Sequence, residues 1–369
     1  MISQQRVPRS ECSSRNSNLR LKSRHAAGRA LTEIILIAII PAVTWLLWSA
    51  LTNDSRFPWQ SPGTAVTYGP LKTVRDVIDL KDGKILVVHR NGDLRCWDPA
   101  TKTELGEFPR GMDELRCGAF SAKKRILALA GPNGTLQICN VDEPEKKPLE
   151  INADTVSVCA CGFASDEETL ITAGGTGDLK FWNASTGTLK TVLSSKDILN
   201  AIHCFLRSAD GQFIYTGTFN GTVYKWRLAD LELQGQFQEG STLEDPDRLV
   251  VGLFELPGTN EIAVASRAGT ISIWNHVTCK PVRTLESPLH YLISATATQN
   301  GQYLFGVNEK GTTRMWDLYS GKSKDLNPFS TNNLRYITVS TDGACLIGGD
   351  NLGTVEFVNL EAAIGSDPR

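Results

Sequence analysis

GDLRCWD, residues Gly92 to Asp98, sets a turn glycine ahead of an alternating run that ends at a tryptophan, and the pattern recurs six times downstream. The copies are GTLQICN at Gly134, GDLKFWN at Gly177, GTVYKWR at Gly221, GTISIWN at Gly269, GTTRMWD at Gly311 and GTVEFVN at Gly353. Successive glycines stand 42, 43, 44, 48, 42 and 42 residues apart, a period that marks a repeat architecture. Trp97, Trp182, Trp226, Trp274 and Trp316 each follow their glycine by five positions, with Cys139 and Val358 in that place in the other two units.

Outward from this pattern, each unit holds an apolar alternating run, a glycine turn, a second run ending at the tryptophan position and a further short run such as TELGEF. Four strands per unit with turn signals about every ten residues read as a meander. Asn91-Gly92, Asn133-Gly134 and Asn220-Gly221 read as tight hairpin turns in which both central residues take positive φ. Four-stranded units of this length, packed face to face around an axis, make a propeller. The expected fold is all-β: a seven-bladed β-propeller of four-stranded antiparallel blades, preceded by one transmembrane α-helix. Strands apolar at nearly every position fit blades buried on both faces, and the tryptophan is expected to fill the gap between blades.

The repeats resemble those of the WD-repeat family, whose units end in Trp-Asp. Trp97-Asp98 and Trp316-Asp317 keep the dipeptide, and Asn183 and Asn275 replace the aspartate. The resemblance covers about residues 64–363. The Gly-His dipeptide that usually opens a repeat is absent, so the family's His-Ser/Thr-Asp-Trp hydrogen-bond network is expected to be incomplete. The resemblance implies protein partners, met on the face that carries the second-to-third strand turns and the loops entering the inner strands. Arg90, Arg116, Phe219, Arg267 and Arg335 are the candidate partner-binding residues there. The last unit supplies three strands, and the segment TAVTYGPLK at 64–72 is expected to return as its fourth, removing an open sheet edge.

The formal net charge of −2 is unevenly spread. Residues 1–33 hold seven Lys/Arg against Glu11 and Glu33, which leaves 31 basic and 38 acidic residues beyond them, a poor footprint for nucleic acid. Residues 1–33 read as a basic disordered segment. The uncharged run IILIAIIPAVTWLLWSAL then reads as a membrane-spanning helix over 34–52, with Trp45 and Trp48 near one end where interfacial aromatics collect. A long basic leader and Trp48 at the exit argue against a cleaved signal peptide. The basic flank places the N-terminus in the cytoplasm and the propeller on the far side, the periplasm in a bacterium. Residues 53–63 form a linker and 364–369 a tail.

Nine cysteines invite a metal, but no paired C-x-x-C and no H-x-x-x-H occur. Cys117, Cys161 and Cys204 stand four residues before a strand-ending serine in their units and read as core filling. AGGTGD at Ala173 lacks the Gly-Lys-Ser/Thr of a phosphate loop, and no G-x-S-x-G is present. No cofactor is expected. The expected function is a non-enzymatic interaction scaffold with protein partners, tethered to the membrane through 34–52. The alternative is an extracytoplasmic ligand-binding or catalytic propeller, quinoprotein-like or sugar-active.

Overall fold

The computed structural model describes residues 73–108, 112–194, 200–238, 246–285 and 289–365. Within them, strands form seven antiparallel sheets, and hydrogen-bonded neighbours in every sheet are consecutive in sequence. Blade 1 comprises, from the axis outward, β1 (Val74–Asp79), β2 (Ile85–His89), β3 (Leu94–Asp98) and β4 (Thr103–Phe108). The innermost strands of blades 2 to 7 are β5 (Cys117–Ser121), β9 (Val158–Phe163), β13 (Ile202–Arg207), β17 (Val250–Leu256), β21 (Leu292–Ala297) and β25 (Leu334–Val339). Each packs against the next, and β25 packs against β1, so seven blades close a ring. Blades 1 to 6 have four strands. Among the described residues blade 7 has three: β25, β26 (Cys345–Asp350) and β27 (Val355–Asn359).

Burial peaks at the second strand of each blade and falls toward the outer edge, the innermost strands being mostly half-buried. The second strands β2, β6 (Ile126–Ala130) and β10 (Thr169–Gly174) are buried at every position, whereas β4 is exposed along almost its whole length. A second strand meets a neighbouring blade on both faces and has no polar face to keep, whereas the innermost strand, bordering the channel, keeps polar residues such as Arg75 and His203. Seven apolar clusters lie at the seven blade junctions. Each repeat tryptophan packs onto the preceding blade: Trp182 against Ala128 and Ile138, Trp226 against Ile171 and Phe181, and Trp316 against Ala263 and Ile273. Trp274 stacks on Phe237 at 5.0 Å between ring centroids, and Trp97 meets Phe357 of blade 7 at 5.6 Å. Burial of so large a side chain at a junction stabilises by about 3–5 kcal/mol against alanine.

The glycine turns differ from expectation. Gly92, Gly134, Gly177, Gly221, Gly269, Gly311 and Gly353 all have φ between 80° and 91°, but their asparagine neighbours do not take positive φ. The glycine N–H donates to the carbonyl three residues back, as from Gly92 to His89 at 3.0 Å. Each is thus a turn with negative-φ central residues followed by a left-handed glycine, a bulge-type hairpin loop. Asn91, Asn133 and Asn220 serve through their side chains, each accepting the N–H two residues on. Glycine is required for a second reason at Gly134, where a Cβ would lie 1.9 Å from the Asp154 carbonyl oxygen of the loop entering blade 3.

The partial Trp-Asp signature has a similar explanation. Asp98 and Asp317 accept two backbone N–H groups each in the turn to the outer strand, and Asn183 and Asn275 do the same. The turn needs only an acceptor oxygen, which an amide supplies as well as a carboxylate. Part of the hydrogen-bond network also survives: Trp182 Nε1 donates to Thr172 Oγ1 at 2.9 Å and Trp226 Nε1 to Thr216 Oγ1 at 3.2 Å. The corresponding residues opposite Trp97 and Trp316 are Val87 and Gly306, and those two indole nitrogens are buried without a partner.

Beyond β27 the chain turns into a short helix, α1 (Leu360–Gly365), where the sequence reading placed no element. Asn359 Oδ1 accepts the Ala362 N–H at 2.9 Å to start it, and Leu360 and Ala363 are buried among blade 6 and 7 side chains. The closing strand expected at 64–72, the helix at 34–52 and the segments 1–33 and 53–63 lie outside the described residues. Among the described residues no helix is long and apolar enough to cross a membrane.

Candidate functional site

At the start of the innermost strands one extra residue is inserted against the second strand. The register skips between Val74 and Asp76, Ile202 and Cys204, Val250 and Gly252, Leu292 and Ser294, and Leu334 and Tyr336, and opposite Ala173/Gly174 it skips Cys159. The bulged residues are Arg75, Cys159, His203, Val251, Ile293 and Arg335. In blade 2 the equivalent is Arg116, which donates its N–H to Ala130 at 2.8 Å just ahead of the regular pairing. In every blade a buried aliphatic residue precedes the bulge, from Val74 and Leu115 round to Leu334, while the bulged residue is half-buried. The apolar anchor holds the strand and the bulge turns the next side chain out of the alternation, a recurrent device at functional rims.

These positions share a face with the glycine turns. Arg90, Phe219 and Arg267, beside their turn glycines, donate backbone N–H groups to Thr73, Ala201 and Leu249, the residues just before the inner strands. The mouth of the channel therefore carries a seven-membered ring with two halves. Arg335, Arg75 and Arg116 stand on three consecutive blades, Cys159 and His203 follow, and Val251 and Ile293 complete the circle. Arg116 Nη1 donates to Cys159 Sγ at 3.2 Å, so neighbouring members touch. His203 Nδ1 lies 3.1 Å from the Val250 carbonyl, and its ring meets Phe219 edge-on at 5.4 Å. Burial first, and then the Arg116 charge, push the His203 pKa down to about 4, so the imidazole is neutral near pH 7.

The five candidate partner-binding residues fall into two kinds. Phe219 is 44% exposed. The arginines are held by the fold: Arg90 is buried with Nε donating to Glu114 at 3.0 Å, and Arg267 bridges Asp247 and Glu309. Arg116 and Arg335 are ring members, the latter with Nη1 donating to the Leu334 carbonyl at 2.8 Å. Burial draws the Arg335 pKa down, with Glu309 and Asp350 acting against it. Arg75 and His203 were missed, although a signal existed. The bulged residue stands 18 positions before the turn glycine in six units and 17 in the first.

The thiols act as packing groups. Cys117 and Cys161, on adjacent inner strands, have sulfurs 3.7 Å apart, and burial raises the Cys204 pKa to about 12. Among the described residues no three His, Cys, Asp or Glu side chains are grouped to hold a metal ion.

No family model matches the chain. It is similar to the WD repeat-containing protein srw1 of Schizosaccharomyces pombe, 24% identical over 297 residues that make up 78% of this chain and 50% of that protein. It is also similar to the target of rapamycin complex subunit LST8 of Mus musculus, 24% identical over 57% of this chain and 62% of the relative. The apoptotic protease-activating factor 1 of Danio rerio is 25% identical over 43% of this chain and 12% of its own length. The chain thus spans between an eighth and about three fifths of the curated relatives it matches. Among solved structures, the WD40 β-propeller domain of Doa1 superposes with a TM-score of 0.64 at 19% identity, covering 78% of this chain and 92% of that one. In fold the chain is a WD40-type β-propeller, and its similarity in sequence is to WD-repeat proteins.

Proposed function

We propose that this protein is a non-enzymatic scaffold that binds protein partners on the channel-mouth face while residues 34–52 tether it to a membrane. The observation that carries the reading is the ring of bulged residues. Six side chains are lifted out of the strand alternation by bulges, and Arg116 stands at the matching place in blade 2, all on one rim beside the exposed Phe219. A rigid rim loses little conformational freedom when a partner binds, which favours affinity. The similar LST8 protein is by name a subunit of a complex, a role that fits a propeller with one elaborated face. The uncharged run with its basic flank supports a single-pass anchor with the propeller extracytoplasmic, and tethering raises the local concentration of partners.

Two measurements test this. Phe219→Glu should release a protein that co-purifies in stoichiometric amount with the detergent-extracted full chain. Tyr319→Glu, at an exposed site on the opposite rim, should leave it bound. Equal loss, or loss in neither, contradicts the assigned face. Separately, an epitope placed after Arg369 should be reached by antibody on intact cells. Access only after permeabilisation would reverse the topology without touching the fold.

A further inference from the structure

We infer that Cys117 and Cys161 are a redox-active pair whose disulfide staples the inner strand of blade 2 to that of blade 3. The chemistry of the pair is independent of the scaffold reading and holds on either side of a membrane.

Geometry sets these two apart from the other thiols. Cys117 stands on β5 opposite Ala130 and Cys161 on β9 opposite Thr172, so each belongs to the ladder of its own blade and the two meet only across the junction. Cys117 Sγ donates to Cys161 Sγ at 3.7 Å, and both side chains pack in the apolar cluster of that junction with the small residues Ala128, Ala130 and Val158. Cys96 and Cys139 pack on one junction and Cys204 and Cys279 on another, yet among the described residues only Cys117 and Cys161 share a hydrogen bond between thiols. Cys204 and Cys279 donate instead to the Val250 and His276 carbonyls. Thiols already in van der Waals contact reach the roughly 2.05 Å of a disulfide by side-chain rotation. A metal ion is a poorer occupant, because two thiols leave a tetrahedral ion two ligands short and no third is grouped with them among the described residues.

The reaction is thiol–disulfide exchange with a small disulfide such as oxidised glutathione. Cys161 is half-buried and Cys117 is buried. The hydrogen bond to Cys161, and then burial, hold the Cys117 thiol well above its usual range, with Arg116 acting against them. Cys161 therefore attacks first: it gives its proton to solvent, and its thiolate forms a mixed disulfide and displaces one glutathione thiolate. Cys117 then loses its proton, attacks the Cys161 sulfur and expels the second glutathione thiolate. Two protein thiols are oxidised, one glutathione disulfide is reduced, and the two protons released neutralise the two thiolates that leave. The new bond joins residues 44 apart in sequence and so restricts the unfolded chain. It also fixes the junction beside two members of the ring, since Arg116 directly precedes Cys117 and Cys159 stands two residues before Cys161. A reducing compartment keeps the staple open and an oxidising one keeps it closed.

The test takes the full chain in detergent, reduced, freed of reductant and equilibrated with oxidised glutathione. Remaining thiols are blocked in denaturant, and the non-reduced digest is read by mass spectrometry. A cross-link between the peptides that carry Cys117 and Cys161, two hydrogens lighter than their sum, is expected. The oxidised chain should melt roughly 5 °C above the reduced one. Cys117→Ala and Cys161→Ala should each abolish both the cross-link and the shift, whereas Cys159→Ala and Cys204→Ala should keep them. Circular dichroism of the reduced variants checks that each is folded. Should an alanine variant fail to fold, the cross-link and the shift in the natural chain and in Cys159→Ala decide alone. Both thiols blocked after oxidation, a bond that runs through Cys159 instead, or a cross-link without a shift in melting temperature each overturns the inference.

Discussion

A single hydroxyl separates the junctions that complete the tryptophan hydrogen bond from those that do not. Trp182 and Trp226 find Thr172 and Thr216, whereas Trp97 and Trp316 face Val87 and Gly306 and leave a buried N–H unpaired. Removing the acceptor keeps the volume but leaves a desolvated donor, so Thr172→Val should destabilise by about 1–3 kcal/mol in denaturant titration. No change would mean that water already serves that indole. The turn glycines allow a cleaner separation of causes. Gly258 has φ +74° with open space where a Cβ would go, so Gly258→Ala should cost about 1–2 kcal/mol, the left-handed penalty alone. Gly134 has φ +80° and a carbonyl oxygen 1.9 Å from the same point, so Gly134→Ala should cost clearly more, as measured by the difference in melting temperature. Equal shifts would show that the loop before blade 3 yields freely. The sequence showed these glycines and tryptophans because period and offset survive divergence. It did not show that asparagine acts through its side chain, since the residue type suits both turn geometries.

At the scale of one element, the innermost strand combines a buried anchor, a bulge and a regular run that packs on two neighbours. Hydrophobic alternation predicts the run and hides the bulge, because one inserted residue shifts the phase without altering composition. Arg90 and Arg116 therefore looked alike in the sequence, two arginines near turns. In the structure one is sealed by Glu114 and the other sits on the rim. His203 gives the bulge a pH signature. Its folded pKa of about 4 lies below the ordinary 6.5, so as pH falls through that window the unfolded chain takes up a proton that the ring does not. The linked stability is complete above about pH 6.5 and is lost as pH falls toward 4, amounting to about 2 kcal/mol by pH 5. Thermal melts should drop between pH 7.5 and 5 for the natural chain and drop less for His203→Asn. Matching drops would assign the effect to other groups.

For the whole molecule the decisive junction is the one between blades 7 and 1, where chain continuity gives no help. Asp76 is the stitch: its carboxylate accepts the Gly118 N–H of blade 2 at 3.0 Å and the Tyr336 O–H of blade 7 at 3.0 Å, linking three inner strands. Burial raises its pKa, as it does more strongly for Tyr336, so the pair holds a hydrogen bond in a site that disfavours charge. Around it Val74 and Val87 pack on Ile347, Trp97 on Phe357, and Thr341 bonds Asp79. The period of the repeats foretold a ring but not these contacts, since residues some 260 positions apart in sequence leave no local pattern. Tyr336→Phe removes one donor and keeps the ring face, so it should cost about 1–3 kcal/mol. Because neighbouring blades support one another, the loss should lower the urea midpoint with an unchanged slope. A shallower slope would mean that blades 7 and 1 part before the rest, making this junction the weak point of the ring. Deleting 64–72 asks the complementary question at the outer edge of blade 7. If that segment supplies a fourth strand, its loss exposes the β27 edge and should lower the midpoint further than Tyr336→Phe does. An unchanged midpoint would leave the inner stitch and the blade faces as what closes the circle.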